Sequence, residues 1–199
     1  MPRSAVRARH RLGPHRDPAV DEAVLAATRE LLVEAGYAGT TVDGIARRAG
    51  VSRPAIYRRW PSKAHVVHDA VFPTADDDLL PDTRSFADDL RRIIGRSLAS
   101  YARPEARVAV PGLLTDLDDQ ARRHDVVDGL QNRVRAGLAA RVARAVAEGE
   151  VRAGVDPDLL LDVVIGTLIH RVVAREELDP AFGDALADLL LDGLRPVPR

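Results

Sequence analysis

The chain has 199 residues, 46% of them hydrophobic and 30% charged, with 29 Lys and Arg against 30 Asp and Glu and no cysteine. That length suffices for a buried core in one domain or two small ones. Without cysteine there is no disulfide scaffold, thiolate zinc site, iron–sulfur cluster or cysteine nucleophile.

The longest mainly apolar run, Val163 to Ile169, falls far short of the roughly 20 residues that span a bilayer. The arginine-rich start lacks the apolar stretch of a signal peptide, so a cytoplasmic protein with no membrane partner is expected. Charge is unevenly spread. Residues 1–65 hold 12 basic and 6 acidic side chains, net +6, whereas 66–199 hold 17 and 24, net −7. A basic head on an acidic body points to a polyanion partner for the head. Lys63 is the one lysine of the chain.

Residues 1–16 carry five arginines and few large apolar residues, which predicts a disordered basic arm. Helix signals begin at once. Asp17 suits an N-cap, Pro18 the first helical position, and Val20, Val24, Ala27, Leu31 and Ala35 share one face up to a stop at Gly36. Thr40 or Thr41 caps a short helix from Val42 to Ala49 that ends at Gly50. Ser52 caps a third to about Trp60, with Pro54 tolerated in its first turn. Ser62 caps a fourth from Lys63 to about Phe72. An acidic linker, Pro73 to Asp82, precedes helices expected at 83–102, 104–117, 119–149, 156–176 and 180–194. Pro111-Gly112 should kink or split the sixth. The fold class is all-α, with about nine helices.

The informative stretch is Thr40 to Lys63, TTVDGIARRAGVSRPAIYRRWPSK. Two short helices joined by Gly50-Val51-Ser52 have the shape of a helix-turn-helix, with Ile45, Ala46, Ala49, Val51 and Ile56 packed inward. The outer face of the third helix then carries Arg53, Ala55, Tyr57, Arg58 and Arg59. Such a face suits the major groove, where Arg can meet guanine in bidentate contact.

Residues 18–63, with "TTVDGIARRAGVS" followed by "AIYRRWPSK", resemble the DNA-binding domain of the TetR/AcrR family of transcriptional regulators. The resemblance implies a head at 17–62 and a helical effector-binding and dimerisation domain at 63–199. It implies phosphate contacts from Thr41 and Ser52, base-edge contacts from Arg53 and Ala55 with Pro54 beside them, and a backbone or base contact from Tyr57. Arg59 and Lys63 would anchor the opposite phosphate chain. Arg47 and Arg48 read as a solvated face, with phosphate contact as the alternative, and Arg58 as either solvent-facing or a contact. The basic arm either enters a minor groove or attracts DNA without selectivity.

The last two helices are apolar around so wide an arc that each must bury two sides. One side would face its own core and the other a second subunit, which agrees with dimerisation through this pair in the family. The family also implies a small-molecule pocket, with Tyr101, Leu113, Leu114, Leu117, Leu130, Val164, Thr167, Leu168 and His170 as candidates here. His170 either bonds an effector or is a core histidine. The expected protein is therefore a homodimeric repressor of an inverted-repeat operator, released by an effector, with no cofactor. An enzyme finds little support. His65 and His68 lack a third metal ligand, and no phosphate loop or nucleophile elbow is present. The competing reading is a helical protein-interaction module that does not read DNA.

Overall fold

The computed structural model describes residues 18–72, 83–116 and 120–196, with side chains throughout except at 120–133. The basic arm, Asp17, the acidic linker and Leu117 lie outside the described residues, and the side chain of Leu130 is likewise not described. Among the described residues the regular structure is entirely helical. The helices are α1 (Pro18–Gly39), α2 (Val42–Ala49), α3 (Arg53–Tyr57), α4 (Lys63–Val71), α5 (Phe86–Ala102), α6 (Pro104–Asp116), α7 (Gln120–Ala147), α8 (Pro157–Val173) and α9 (Pro180–Leu194).

Local chemistry sets most boundaries. Thr41 is extended, and its Oγ1 accepts from the Gly44 N–H at 3.1 Å. Gly50 closes α2 at φ 68°, a left-handed conformation that glycine adopts without steric cost. Asp156 and Asp179 cap α8 and α9 by accepting from Leu159 and Phe182 N–H groups, and Pro157 and Pro180 follow them in the first turns. Ser52 and Ser62 stand at the expected caps of α3 and α4, but neither side chain makes a capping bond. The expected stop at Gly36 is a break rather than an end. Its backbone turns at φ 73°, ψ 175°, and one further turn follows to Gly39. Pro111-Gly112 does not split α6, which continues through it from Pro104 to Asp116.

Three apolar clusters hold these elements. The head core joins Val24, Ile45, Ala46, Ile56, Trp60 and Val66, so α1, α2, α3 and α4 share it. Ala49 and Val51 pack against it, partly buried. The body core is built by α5, α7, α8 and α9 around Leu90, Ile94, Leu138, Val164, Leu168 and Leu186. Between them lies a third cluster, Leu32 and Tyr37 of α1, Val67 and Val71 of α4, and Ala106, Ala109 and Leu113 of α6. Head and body therefore meet over a packed joint.

Two polar features fix that frame. At the joint the Tyr37 hydroxyl donates to Asp116 Oδ2 at 2.5 Å, and its ring lies against the backbone of Gly112. Burial and the neighbouring carboxylate push this phenol well above its usual range, so it stays a donor. In the body, buried Arg141 of α7 donates to Asp89 of α5 and to Glu150 Oε1 beyond α7. Asp89 Oδ1 also accepts from the Thr83 N–H and hydroxyl, and Glu150 Oε2 accepts from the Phe86 N–H at 2.7 Å. The triad ties three elements with one cation.

Candidate nucleic-acid interface

The head core dictates what α3 shows outward. Ile56 is buried against α1 and α2, which leaves Ser52, Arg53, Pro54, Tyr57 and Arg58 exposed and Ala55 half-buried. These are two cationic, one aromatic and several small groups on and beside a short helix, a surface able to enter a groove and meet base edges. The Ser52 hydroxyl makes no capping bond and is open to a phosphate. Thr41 Oγ1 accepts from Gly44 N–H, which leaves its own proton to donate outward. Arg53 is paired through Nε with Asp43 Oδ1 of α2 at 2.7 Å, and its Cζ lies 6.0 Å from the Tyr57 ring centroid. Asp43 was not singled out from the sequence; nothing in its spacing marks it, because the contact joins two helices.

Two expected phosphate anchors sit elsewhere. Arg59 follows the end of α3, where the chain turns so that Arg59 and Trp60 N–H groups both bond Ile56 O. That turn carries Arg59 back to α1, where its Nε pairs with Asp21 and its side chain is only 11% exposed. It clamps α3 to α1 and is not presented to a ligand. Lys63 is drawn to the joint. Its Nζ donates to the Tyr37 carbonyl at 3.3 Å, lies 3.8 Å above the Tyr37 ring centroid and 3.8 Å from Asp116. Among the described residues of the head, Arg58 and Arg47 are exposed cations left for phosphate. Arg48 is engaged by Glu34 at 2.6 Å and by Glu30, and its hydrogen bond holds the Glu34 carboxyl below its usual range.

The residues proposed for an effector do not converge. Leu113 belongs to the joint and Val164 and Leu168 to the body core. Thr167 is half-buried with its hydroxyl donating to Val163 O, and Leu114 is exposed. His170 is exposed as well, so it is neither a core histidine nor part of an interior cavity. An apolar run hides which side of a helix faces out; His170 follows Leu159 and Val163 on the outward side of α8. Tyr101 alone keeps a suggestive place. Its ring is 5.0 Å from Phe72, which is 5.6 Å from buried His68, and burial pushes its phenol up to about 12. His68 and Phe72, one turn apart on α4 and its end, were not among the effector candidates from sequence. Among the described residues no three His, Asp or Glu side chains gather as a metal site, and no helix is long and apolar enough to cross a membrane.

Comparison with known proteins agrees with this geometry. Residues 24–70 match the profile of bacterial regulatory proteins of the tetR family, and residues 80–190 that of the tetracyclin repressor-like C-terminal domain. A DNA-binding transcriptional repressor TetR of Mycobacteroides abscessus is 34% identical over 192 residues, covering 89% of this chain and 95% of that protein. The HTH-type regulator YdeS of Bacillus subtilis is 29% identical and covers 93% of both. The crystal structure of the TetR family regulator SCO0332 superposes with a TM-score of 0.66 at 32% identity, covering 89% of this chain and 99% of that one. FadR of Bacillus subtilis, solved with stearoyl-CoA, shares the fold at 18% identity and a TM-score of 0.65, covering 87% and 99%. With a helix-turn-helix head whose third helix presents arginine and tyrosine, and with both halves matched, the chain belongs to the TetR family of DNA-binding transcriptional regulators.

Proposed function

We propose that the protein is a homodimeric repressor that reads an inverted-repeat operator with α3 and leaves it when a small molecule binds the body. The observation that carries the reading is the exposed Arg53–Tyr57 pair on a helix otherwise anchored by buried Ile56. Arg53 and Tyr57 contact base edges or the adjoining backbone, Ala55 and Pro54 make apolar contacts, and Thr41, Ser52 and Arg58 hold phosphates.

The second copy is supported by an outward apolar strip that is costly in water. Leu189 of α9 is 70% exposed, and Leu159, Val163 and Val173 of α8 are also exposed. A partner's equivalent strip would cover it, giving two heads on a two-fold axis. For the effector, the support is the His68–Phe72–Tyr101 group of rings, which runs from the end of α4 to α5. FadR, which shares the fold, was solved with stearoyl-CoA. We extend to this chain the small-molecule part of that behaviour and not its ligand. An effector that favours a DNA-incompetent spacing of the heads weakens operator binding by about 5- to 150-fold for a coupling of about 1–3 kcal/mol.

The test is selection of duplexes from a random pool by the full chain and by Arg53→Ala/Tyr57→Ala protein. The wild type is expected to enrich an inverted repeat and the variant to enrich none. Equal, motif-free and salt-sensitive binding by both proteins would remove the DNA-reading role and leave a polyanion patch.

A further inference from the structure

On the face assigned to DNA, one acid stands among the cations. Asp43, in the first turn of α2, is exposed, and its Oδ1 meets Arg53 Nε at 2.7 Å. DNA phosphates repel a carboxylate placed there, so the residue weakens binding unless the pairing does something useful. Capping does not account for it, because Thr41 already serves the Gly44 N–H at the start of α2. Stability accounts for only a small part, since an acid in the first turn of a helix and an ion pair with side chains 57% and 60% exposed each contribute little.

The contact is geometric. A guanidinium carries five N–H groups in a rigid planar fork, and Asp43 occupies the inner one at Nε. The Tyr57 side chain also hydrogen-bonds this guanidinium, and the edge shared by the terminal nitrogens is the one that matches O6 and N7 of guanine. The Tyr57 ring flanks the same guanidinium, with its centroid 6.0 Å from Cζ. Arg53 therefore loses rotamer freedom before DNA arrives, and its bidentate edge is set in advance.

We propose that Asp43 is a positioning residue for base recognition, which holds Arg53 by Nε so that its terminal nitrogens meet a guanine in the major groove. The inference rests on the reading of α3 as the DNA-reading helix. It gives Asp43 two effects of opposite sign: weaker attraction to any duplex and sharper choice among duplexes. A carboxylate with only a structural role would repel every duplex as well, but it would not sharpen the choice among them.

The full-length wild type, Asp43→Ala, Asp43→Asn and Arg53→Ala proteins are titrated against the duplex that the wild type enriches. Every single-base variant of that duplex and a scrambled duplex serve as competitors. Arg53→Ala is expected to lose roughly 5- to 150-fold of preference at one guanine of each half-site, the span of a bidentate contact. Asp43→Ala should lose about 3- to 10-fold at that same position while binding the scrambled duplex more tightly. Asp43→Asn, which keeps an acceptor without the charge, should fall between, and thermal midpoints should match the wild type. Full retention of preference by Asp43→Ala at the Arg53 position, or an even loss across all positions, overturns the proposal. No position-specific loss in Arg53→Ala removes the reader, and the proposal with it. Absence of any enriched motif with the wild type instead overturns the DNA-reading function itself.

Discussion

Replacing Arg141 with methionine is expected to lower the unfolding free energy by about 3–5 kcal/mol, the range for removing one member of a buried ion pair. The chain stands to lose a large fraction of a total that is typically about 5–15 kcal/mol. Arg141 is 7% exposed and Asp89 only 1%, so the variant leaves a carboxylate buried without its cation. Urea unfolding at neutral pH measures the loss, and a change below about 1 kcal/mol would contradict the geometry described for the triad. The pH dependence carries a further sign. Burial alone would raise the Asp89 carboxyl, but hydrogen bonds from Arg141 and Thr83 outweigh it and hold it below its usual range. The Phe86 N–H and Arg141 hold Glu150 low in the same way. Carboxylates with a depressed folded value stabilise above the unfolded value of about 4 and lose that contribution as pH falls through the folded one. Without Arg141 the upward push of burial loses its main counterweight. The gap between wild type and variant should therefore narrow as pH drops from 7 to below 4, and a constant gap would show that Asp89 is not charged in the fold.

Gly112→Ala is the second large effect, and it acts at the joint. A Cβ on Gly112 would stand 2.2 Å from Tyr37 Cδ1, 2.3 Å from its Cγ and 2.9 Å from its Cβ. Swinging the ring does not relieve a clash that includes Cβ, so α1 and α6 must part. That separation disturbs the Tyr37–Asp116 hydrogen bond and the seat of Lys63 together. Overpacking of this kind costs about 1–3 kcal/mol, and loss of a hydrogen bond to a charged group adds up to about 3. Tyr37→Phe, which removes only the hydroxyl, should cost no more than that second part. Thermal unfolding of the two variants separates these contributions, and a Gly112→Ala midpoint equal to the wild type would show that the joint has slack.

The sequence made the head legible because its signals are local. Thr41, Gly50 and the spacing of Ile45, Ala46 and Ile56 define α2, the turn and α3 within a few residues of one another, and the structure follows them closely. In the body, α8 and α9 begin within one residue of the expected 156 and 180. What escaped depends on contacts between distant elements. Arg59 resembles a phosphate anchor in the chain, but the partner that claims it, Asp21, lies on α1. Lys63 is claimed by Tyr37 and Asp116, separated from it by 26 and 53 positions. Pro111-Gly112 read as a helix break, whereas Gly112 is needed for the close approach of a ring from α1. His170 lies outward on α8 because an apolar run does not tell which side of a helix faces its own core.

The position of Lys63 gives the molecule a built-in reporter. Being the one lysine in 199 residues, it is the single side-chain amine that an acylating reagent can modify. Its nitrogen rests on the Tyr37 ring between head and body, with the side chain 26% exposed. Its acylation should be slow while that seat is closed and faster whenever head and body separate. The labelling rate, followed by mass spectrometry of the peptide that carries Lys63, thus reads the opening of the joint without an engineered probe. Gly112→Ala should raise it, and an unchanged rate would place the movement of the heads elsewhere in the chain.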